Sequence, residues 1–520
     1  MANIVLINPR FDVSYWGMEY ALPLLWKRCA MPAASLPLLA ALSSAQHRVT
    51  IIDENVEPLD YRRIAQADIV GLTGMNVQRL RMRQILAELK RRGAFTVVGG
   101  PWVTVQEDYF GPLADVVFIG EAEESWPRFL REWEQGHHQP RYEQSQPTDL
   151  SQVPLPRYDL LRMRHYVFGS LQLSRGCPFQ CEFCDIIVTF GRRPRFKTVP
   201  QILRELEALK ARGMKIVFIV DDNLIGNKNG VKPLLEEIGA WQQARGFPFI
   251  FVAEASLDLA EDPHLMRLMV EANIISVFIG IESPNEDSLR ETKKFQNLRP
   301  ARSLLERVYA VQDAGLEVWC GMIVGFDHDD ASIFQWQREF LRQAGIAQAM
   351  VGMLSAIPKT PLYHRLRAEG RLDLEDSPAY GTNVIPLQMT REELRDGYVQ
   401  LMWDIYQPDA YFERVDGFME RSRFQFGPRQ ARYWKEHPWS GLRAQAYFRA
   451  GEAFLYSRLM QRIPDASLRA AYRSRFARVR ATNSNPAMRF GYLLKCAMHY
   501  HHYTIAQQMA ARTLAIVNSY

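Results

Sequence analysis

Short runs of apolar residues recur along the first two thirds of the chain, and amphipathic stretches of helical length separate them. Up to about residue 140 the runs are "IVLINP", "VTIID", "DIVGLTG", "FTVVGG" and "VVFIGEAE". Runs this short, rich in Val and Ile and spaced by helices, predict a parallel sheet buried on both faces. A doubly wound α/β domain over 1–140 follows. The Pro-, Gln- and His-rich stretch "EQGHHQPRYEQSQPTDLSQVPLP" then predicts a linker over 141–167. From 168 to 380 six more strand candidates follow: "LQLSRG", "KIVFIVDD", "FIFVAEAS", "SVFIGIES", "EVWCGMIVGF" and "AMVGMLSA". Helical stretches such as "VPQILRELEALKARG" stand between them, and six βα units predict a partial or full TIM-like barrel. Over 381–520 only amphipathic helical patterns remain. No solenoid-period repeat or low-complexity tract interrupts this order.

Composition agrees with two to four globular domains: 520 residues, 47% hydrophobic and 23% charged. "MANIVLINPR" is expected to be a first strand rather than a signal peptide. The longest uncharged stretch, 29–46, holds Pro32 and Pro37 and is a poor membrane span. Six cysteines, three of them clustered, argue against a disulfide framework and for a reducing, cytoplasmic setting in which the cluster binds metal. Cys29, Cys320 and Cys496 are expected as small buried residues.

Charge changes the picture at one end. Residues 411–520 hold 18 Lys and Arg against 6 Asp and Glu, interleaved with aromatics, as in "RFQFGPRQARYWKEHPW". A solvated basic face explains this most simply, and an anionic membrane surface is the more specific alternative. No nucleic-acid motif accompanies the charge, and no nucleic-acid partner is expected.

The candidate chemistry lies in "LSRGCPFQCEFCD", residues 173–185, where Cys177, Cys181 and Cys184 are spaced C-x3-C-x2-C. A structural zinc site closes with four ligands, and neither a second pair nor a nearby downstream His is present. A two-cluster ferredoxin would show a different run. Three thiolates on a cubane iron–sulfur cluster leave one iron open, and the triplet follows the first barrel strand, where barrel active sites lie.

These residues resemble the signature of the radical S-adenosylmethionine (SAM) superfamily, in which a [4Fe-4S] cluster is held by three cysteines and its open iron chelates SAM. The resemblance implies that Phe183 packs by the adenine. It also implies that Asp221 and Asp222 in "VDDN" meet the methionine amino group. Glu254 and Ser256 after strand three and Glu282 in "GIES" would contact ribose and methionine. "GMIVGFD", with Gly321, Ile323 and Gly325, resembles the family's adenine motif. No acid–base catalytic side chain is implied.

The N-terminal domain resembles the cobalamin-binding domain that precedes the barrel in one branch of that superfamily. Its matching stretches are "VGLTGMNVQ", "VVGGPWVT" and "FIGEAEES", which makes Thr73, Gly74, Asn76, Gln78, Gly99, Gly100, Trp102, Gly120 and Glu121 the candidate cobalamin residues. Glycines at strand ends would let backbone approach a bulky ring. The D-x-H-x-x-G motif is absent and Trp102 stands where many relatives have a His, so cobalt is expected to lack a protein His ligand. A Rossmann-like domain that has lost its corrinoid is the alternative.

Across nearly the whole chain the resemblance is to the sub-branch that contains the hopanoid C-2 methylase and the bacteriochlorophyll side-chain methylases. It implies an α/β fold in three parts: a Rossmann-like cobalamin domain, a partial (βα)6 radical SAM barrel and a helical extension. The implied activity is C-methyl transfer to an unactivated carbon of an apolar small molecule, a lipid or polycycle. SAM cleavage would create the substrate radical and methylcobalamin would supply the methyl group. An electron donor such as flavodoxin or ferredoxin would be a partner, and the basic C-terminal domain could contact a membrane. Rearrangement or cyclisation without methyl transfer, and a non-catalytic cofactor-binding protein, stay open. "GRRPRFK", with Arg192, Arg193, Arg195 and Lys197, could meet an anionic group of substrate or cofactor, or pair with surface acids.

Overall fold

The computed structural model describes residues 1–298, 301–422 and 427–518. The chain divides into two compact units: residues 1–12, 28–227 and 357–364 form one, and 13–27, 228–356 and 365–520 the other.

In the first unit, β1 (Asn3–Asn8), β2 (Arg48–Asp53), β3 (Ile69–Thr73), β4 (Thr96–Gly99), β5 (Val116–Ile119) and β6 (Arg141–Glu143) form one parallel sheet in the order β2-β1-β3-β4-β5-β6. Alternation along each strand divides its apolar residues between two cores. Val5, Ile7, Val70, Leu72 and Val98 pack with Met82, Ile85, Leu86 and Leu89 of helix Arg79–Arg91. Ile4, Leu6, Ile69, Val97 and Phe118 face Leu36 and Trp126, Phe129 and Leu130. The i, i+3, i+4, i+7 spacing from Met82 to Leu89 puts one helix stripe against the sheet, and each such buried side chain contributes roughly 1.5–3 kcal/mol. Because β2 and β3 flank β1 on opposite sides, the crevice of the sheet opens at the C-terminal ends of β1 and β3.

The start of the expected linker instead forms β6, because Tyr142 is an apolar ring with a place to go. It is buried and stacks on Phe118 of β5 at 5.3 Å. Beyond it, β7 (Phe168–Leu171) begins the second alternation. β8 (Ser174–Arg175) and β9 (Arg195–Phe196) form a short antiparallel pair, and β10 (Ile216–Ile219) runs parallel to β7. The strand expected in "LQLSRG" thus ends at Leu171, freeing the cysteine segment to leave as a loop.

In the second unit, β11 (Ile250–Ala255), β12 (Ile274–Glu282), β13 (Glu317–Val324) and β14 (Ala349–Met353) are parallel neighbours in that order. Helices Pro263–Glu271, Leu304–Asp313 and Ile333–Ala344 connect them. Helices then continue as far as Ala510, in the region where the periodicity predicts them, and they and the segment after them cover the outer edge of β14. Tyr406 Oη donates to Ala349 O at 2.6 Å and Tyr398 Oη to Val351 O at 3.2 Å. The Asn518 side chain bonds both N and O of Met353. An open strand edge is thereby satisfied.

Residues 13–27 also belong to this unit. Tyr15 stacks on His502 at 5.7 Å, and Tyr20 N donates to His501 Nδ1 at 3.2 Å. Among the described residues no helix is long and apolar enough to cross a membrane. Cys29, Cys320 and Cys496 are buried, as their sequence surroundings suggest.

Candidate functional site

The cysteine loop is anchored by the acids that end β10. Asp221 is buried and both its oxygens are taken: Leu173 N donates to Oδ1 at 2.7 Å and Ser174 Oγ to Oδ2 at 2.6 Å. Asp222 Oδ2 accepts from Gly176 N at 2.7 Å. Gly176 holds φ +94°, and a Cβ there would come within 2.9 Å of the Arg193 carbonyl oxygen, so only glycine fits the turn. Burial pushes the Asp221 carboxyl up to about 7 and that of Asp222 up to about 6, against the opposing pull of these donors. The pair expected at the methionine amino group is therefore first a clamp on the loop. Asp221 has one donor on each oxygen and is buried, whereas Asp222 remains half-buried.

Next to the clamp, Asn223 Nδ2 lies 3.8 Å from Cys177 Sγ, and Cys177 N donates to Gly191 O at 3.2 Å. Cys181 is buried; Cys177, Cys184 and Phe183 are half-buried. Burial first, then the charges of Asp185, Cys181 and Cys177, push the Cys184 thiol well up. The three sulfurs thus sense one another, and a bound cation would relieve the repulsion between their thiolate forms. Among the described residues no three His, Cys, Asp or Glu side chains close on a point as a single-ion site requires. A donor set of three soft thiolates on one loop fits the wider span of an iron–sulfur cluster.

The same loop is tied to the N-terminal sheet. Arg175 Nη1 is 2.9 Å from Glu121 Oε1 and its Nη2 is 2.6 Å from Glu123 Oε1; Arg195 Nη1 is 2.9 Å from Glu121 Oε2. Thr148 N also donates to Glu121 at 2.7 Å. Burial alone would raise the Glu121 carboxyl, but Arg195, Thr148 and Arg175 outweigh it and hold it below its ordinary value. Lys197 pairs with the buried Glu205 at 2.5 Å, and Arg192 Nη2 donates to Pro178 O at 3.2 Å. Two of the four cations in "GRRPRFK" are therefore committed to buried acids of the protein.

At the crevice end of the first sheet, Gln78 Nε2 donates to Asn8 Oδ1 at 3.0 Å and to Pro9 O at 2.6 Å, while its Oε1 accepts from Met75 N. Asn76 Oδ1 accepts from Arg79 Nη1 at 3.0 Å. Gly100 holds φ +97°, and a Cβ there would overlap Thr73 Oγ1, so the fold itself requires this glycine. Gly120 N donates to Thr104 Oγ1 at 3.0 Å. Gln78 and Glu121, both proposed from sequence as cobalamin contacts, thus already hold the strand ends together. What they leave fits a large apolar ring. Gly74, Gly99 and Gly120 carry no side chain. Met75 and Val77 are 50% and 42% exposed, and Trp102 is buried with its Nε1 unpartnered.

In the second unit the expected SAM residues follow β11, β12 and β13. Glu254 is half-buried, and Ser256 Oγ donates to Asp258, itself 2.8 Å from Lys228. Glu282 ends β12 with φ +67°, a costly backbone state for glutamate, and pairs with Lys294 at 2.7 Å. Gly321 and Ile323 are buried in β13, and Gln337 Nε2 donates to Ile323 O at 2.6 Å. Gly325 N donates to Asp329 Oδ2 at 3.0 Å, as does Phe326 N at 3.1 Å, and burial raises the Asp329 carboxyl to about 7.

Sequence reasoning missed Arg175, Glu123, Lys294 and Asp329. Only Arg175 had a signal, a cation between a strand and a cysteine motif. The other three act through partners that lie near in space.

Comparison with known proteins agrees with this layout. Residues 29–130 match the B12 binding domain, 171–335 the Radical SAM superfamily, and 360–514 a domain of unknown function, DUF4070. The chain is 40% identical over 415 residues to an uncharacterized methyltransferase of Synechocystis sp., covering 79% of this chain and 77% of that one. It is 32% identical over 420 residues to the hopanoid C-2 methylase of Rhodopseudomonas palustris, covering 80% and 79%. Its fold resembles that of the radical S-adenosylmethionine methyltransferase TsrM from Kitasatospora setae, solved with cobalamin and a [4Fe-4S] cluster. There the TM-score is 0.57 and the identity 16%, covering 76% of this chain and 85% of that chain.

Proposed function

We propose that this chain, which belongs to the cobalamin-binding radical SAM family, methylates an unactivated carbon of a largely apolar small molecule. When bound, the three cofactors supply one-electron cleavage of SAM and a methyl group for carbon. Cys177, Cys181 and Cys184 would hold the cluster. Asp221, Ser174 and Gly176 would keep their loop in shape. Phe183, Asp222, Glu254, Ser256, Glu282, Gly321, Ile323 and Gly325 would hold SAM. Thr73, Gly74, Asn76, Gly99, Gly100, Trp102 and Gly120 would face the corrinoid, with Gln78 and Glu121 fixing the strand ends behind it.

The observation that carries the reading is the joint presence of a three-thiolate loop and a parallel sheet whose crevice is glycine-lined and presents exposed Met75 and Val77. A nucleophilic atom can be methylated by SAM alone, so keeping both sites makes sense when the target carbon is neither nucleophilic nor acidic. An electron donor such as flavodoxin or ferredoxin would serve the cluster. Exposed Trp439, Leu442 and Tyr447 on helix Pro438–Arg462, beside Arg443 and Arg449, favour a peripheral membrane contact of the C-terminal helices.

The test measures 5′-deoxyadenosine and S-adenosylhomocysteine together while methyl-labelled methionine is fed to cells. Both products, with an intact labelled methyl in the metabolite, are expected. Only 5′-deoxyadenosine, with an unlabelled isomer, would establish rearrangement in its place.

A further inference from the structure

Two of the strands that carry residues assigned above to SAM also carry an aromatic pair nearer their starts. Phe278 of β12 is level with Trp319 of β13 in the parallel register. Gly321 and Ile323 lie two and four residues beyond Trp319, so the two-residue period puts all three on one face of the sheet. The opposite face of β13, carrying Val318, Cys320 and Met322, is fully buried. Phe278 and Trp319 are only half-buried, and in mid-strand positions of a parallel sheet that means open space in front of them. Trp16, from the segment that packs on the C-terminal helices, bounds that space. Its ring lies 4.8 Å from Phe278 with planes at 52°.

The polar groups here are few and distinctive. Trp319 Nε1 is buried without a partner, and so are both amide atoms of Gln348. Gln348 precedes β14, and Cys320 N donates to its carbonyl at 2.9 Å, which brings it level with Trp319. Buried donors and acceptors are nearly always satisfied, so a donor and a donor–acceptor amide left unpartnered at level positions of neighbouring strands mark a place for a ligand's polar atom. The nearby charges are already spent. Lys495, 5.6 Å from the Trp319 ring, pairs with Glu317, and Lys294 pairs with Glu282.

We propose that Trp16, Phe278 and Trp319 form the wall for the substrate's apolar body, and that Trp319 Nε1 and the Gln348 amide hold a single hydroxyl or carbonyl at its end. The class implied is a rigid, mostly hydrocarbon molecule with one oxygen function. Flat aromatic faces suit a fused-ring body, and Lys495 and Lys294 are already paired with Glu317 and Glu282 rather than offered to an ionic one. This deepens the methyl-transfer reading and rests on it for the carbon that reacts.

The test uses the full chain reconstituted with cluster and hydroxocobalamin. Dehydroergosterol, a fluorescent hydroxylated tetracycle, is the probe, read by energy transfer from tryptophan. Cholestane, a tetracyclic hydrocarbon presented in cyclodextrin, is the competitor. Saturable binding is expected. Trp319→Phe and Gln348→Leu should each weaken dehydroergosterol about tenfold and leave cholestane competition nearly unchanged, the signature of one lost hydrogen bond. Trp16→Ala should weaken both probes, and Trp16→Phe should restore the hydrocarbon. Iron content and circular dichroism equal to wild type identify the variants that fold. No saturable binding of either probe, or unchanged affinities in folded Trp16→Ala, overturns the pocket. So does an equal loss of both probes in the Trp319 and Gln348 variants. The product ratio of the wild type judges methyl transfer separately. Probe binding with 5′-deoxyadenosine alone would sink methyl transfer and leave the pocket standing; both products without probe binding would do the reverse.

Discussion

Arg175 Nη1 lies 2.9 Å from Glu121 Oε1, with side-chain exposures of only 9% and 4%. One residue is two positions before the first cysteine of the loop; the other follows the fifth strand of the N-terminal sheet. Removing one partner of a buried pair leaves an uncompensated charge and costs about 3–5 kcal/mol. Glu121→Ala should therefore lower stability by an amount toward the lower end of that range and strip iron from the protein, because Arg195 loses its carboxylate partner and Arg175 keeps only Glu123. Iron assays and denaturant titration check this. Normal iron content in a folded Glu121→Ala protein would show that the loop holds its shape without the pair.

The cysteines divide sharply. Alanine at Cys177, Cys181 or Cys184 should abolish both cluster iron and SAM cleavage, since two thiolates are too few to retain a cluster. Alanine at Cys29 or Cys496 should leave iron near normal. Cys29 is buried with its Sγ donating to Met31 O at 3.3 Å, and Cys496 is fully enclosed in helix Pro486–Ala510. Iron loss in Cys29→Ala equal to that in Cys181→Ala would contradict the assignment.

Hydroxocobalamin should bind at about one per chain. In the cob(II)alamin form, electron paramagnetic resonance should lack the nitrogen splitting of a protein histidine, since the chain carries no D-x-H-x-x-G motif. Observed splitting would refute this, and failure to bind any corrinoid would favour a domain that has lost it.

Acid should loosen the C-terminal helices first. Burial lowers His499 to about 3 and His502 to about 4, and lowers His501 as well. An unfolded histidine titrates near 6.5, so below that pH the unfolded state binds protons that the native state refuses, and stability falls as pH falls. At one pH unit below that value each such histidine costs about 1.4 kcal/mol. The buried carboxyls of Asp221, Asp222 and Asp329 act in the opposite sense, so the check is a difference: stability of the wild type relative to His499→Gln, measured from pH 7.5 to 5, should decline. A difference that does not change with pH would exclude this account.

Part of this was legible from order along the chain. The cysteine triplet, "VDDN", "GIES" and "GMIVGFD" are local strings at the ends of apolar runs, and the structure has strands ending beside each of them. The periodicity also separated strands from the helical C-terminus, because burial on both faces of a parallel strand leaves a continuous apolar run. Tyr142 was misread for the opposite reason. One ring in a Pro- and Gln-rich stretch gives no periodic signal, and only the presence of Phe118 makes it a strand residue.

Sequence alone determined the cofactor class of this protein and the kind of fold that carries it, since both depend on residues a few positions apart. Tertiary structure decided what the charged and polar residues do. Arg195 and Lys197 could have met a ligand, yet Glu121 and Glu205 take them. Asp221, read from sequence as a contact to SAM, also holds Leu173 N and Ser174 Oγ. Trp16 and Gln348 carried no signal at all. The physical reason is the same in each case: a charge or a hydrogen-bonding group acts through whichever partner lies within about 3 Å, and that partner is seldom a sequence neighbour.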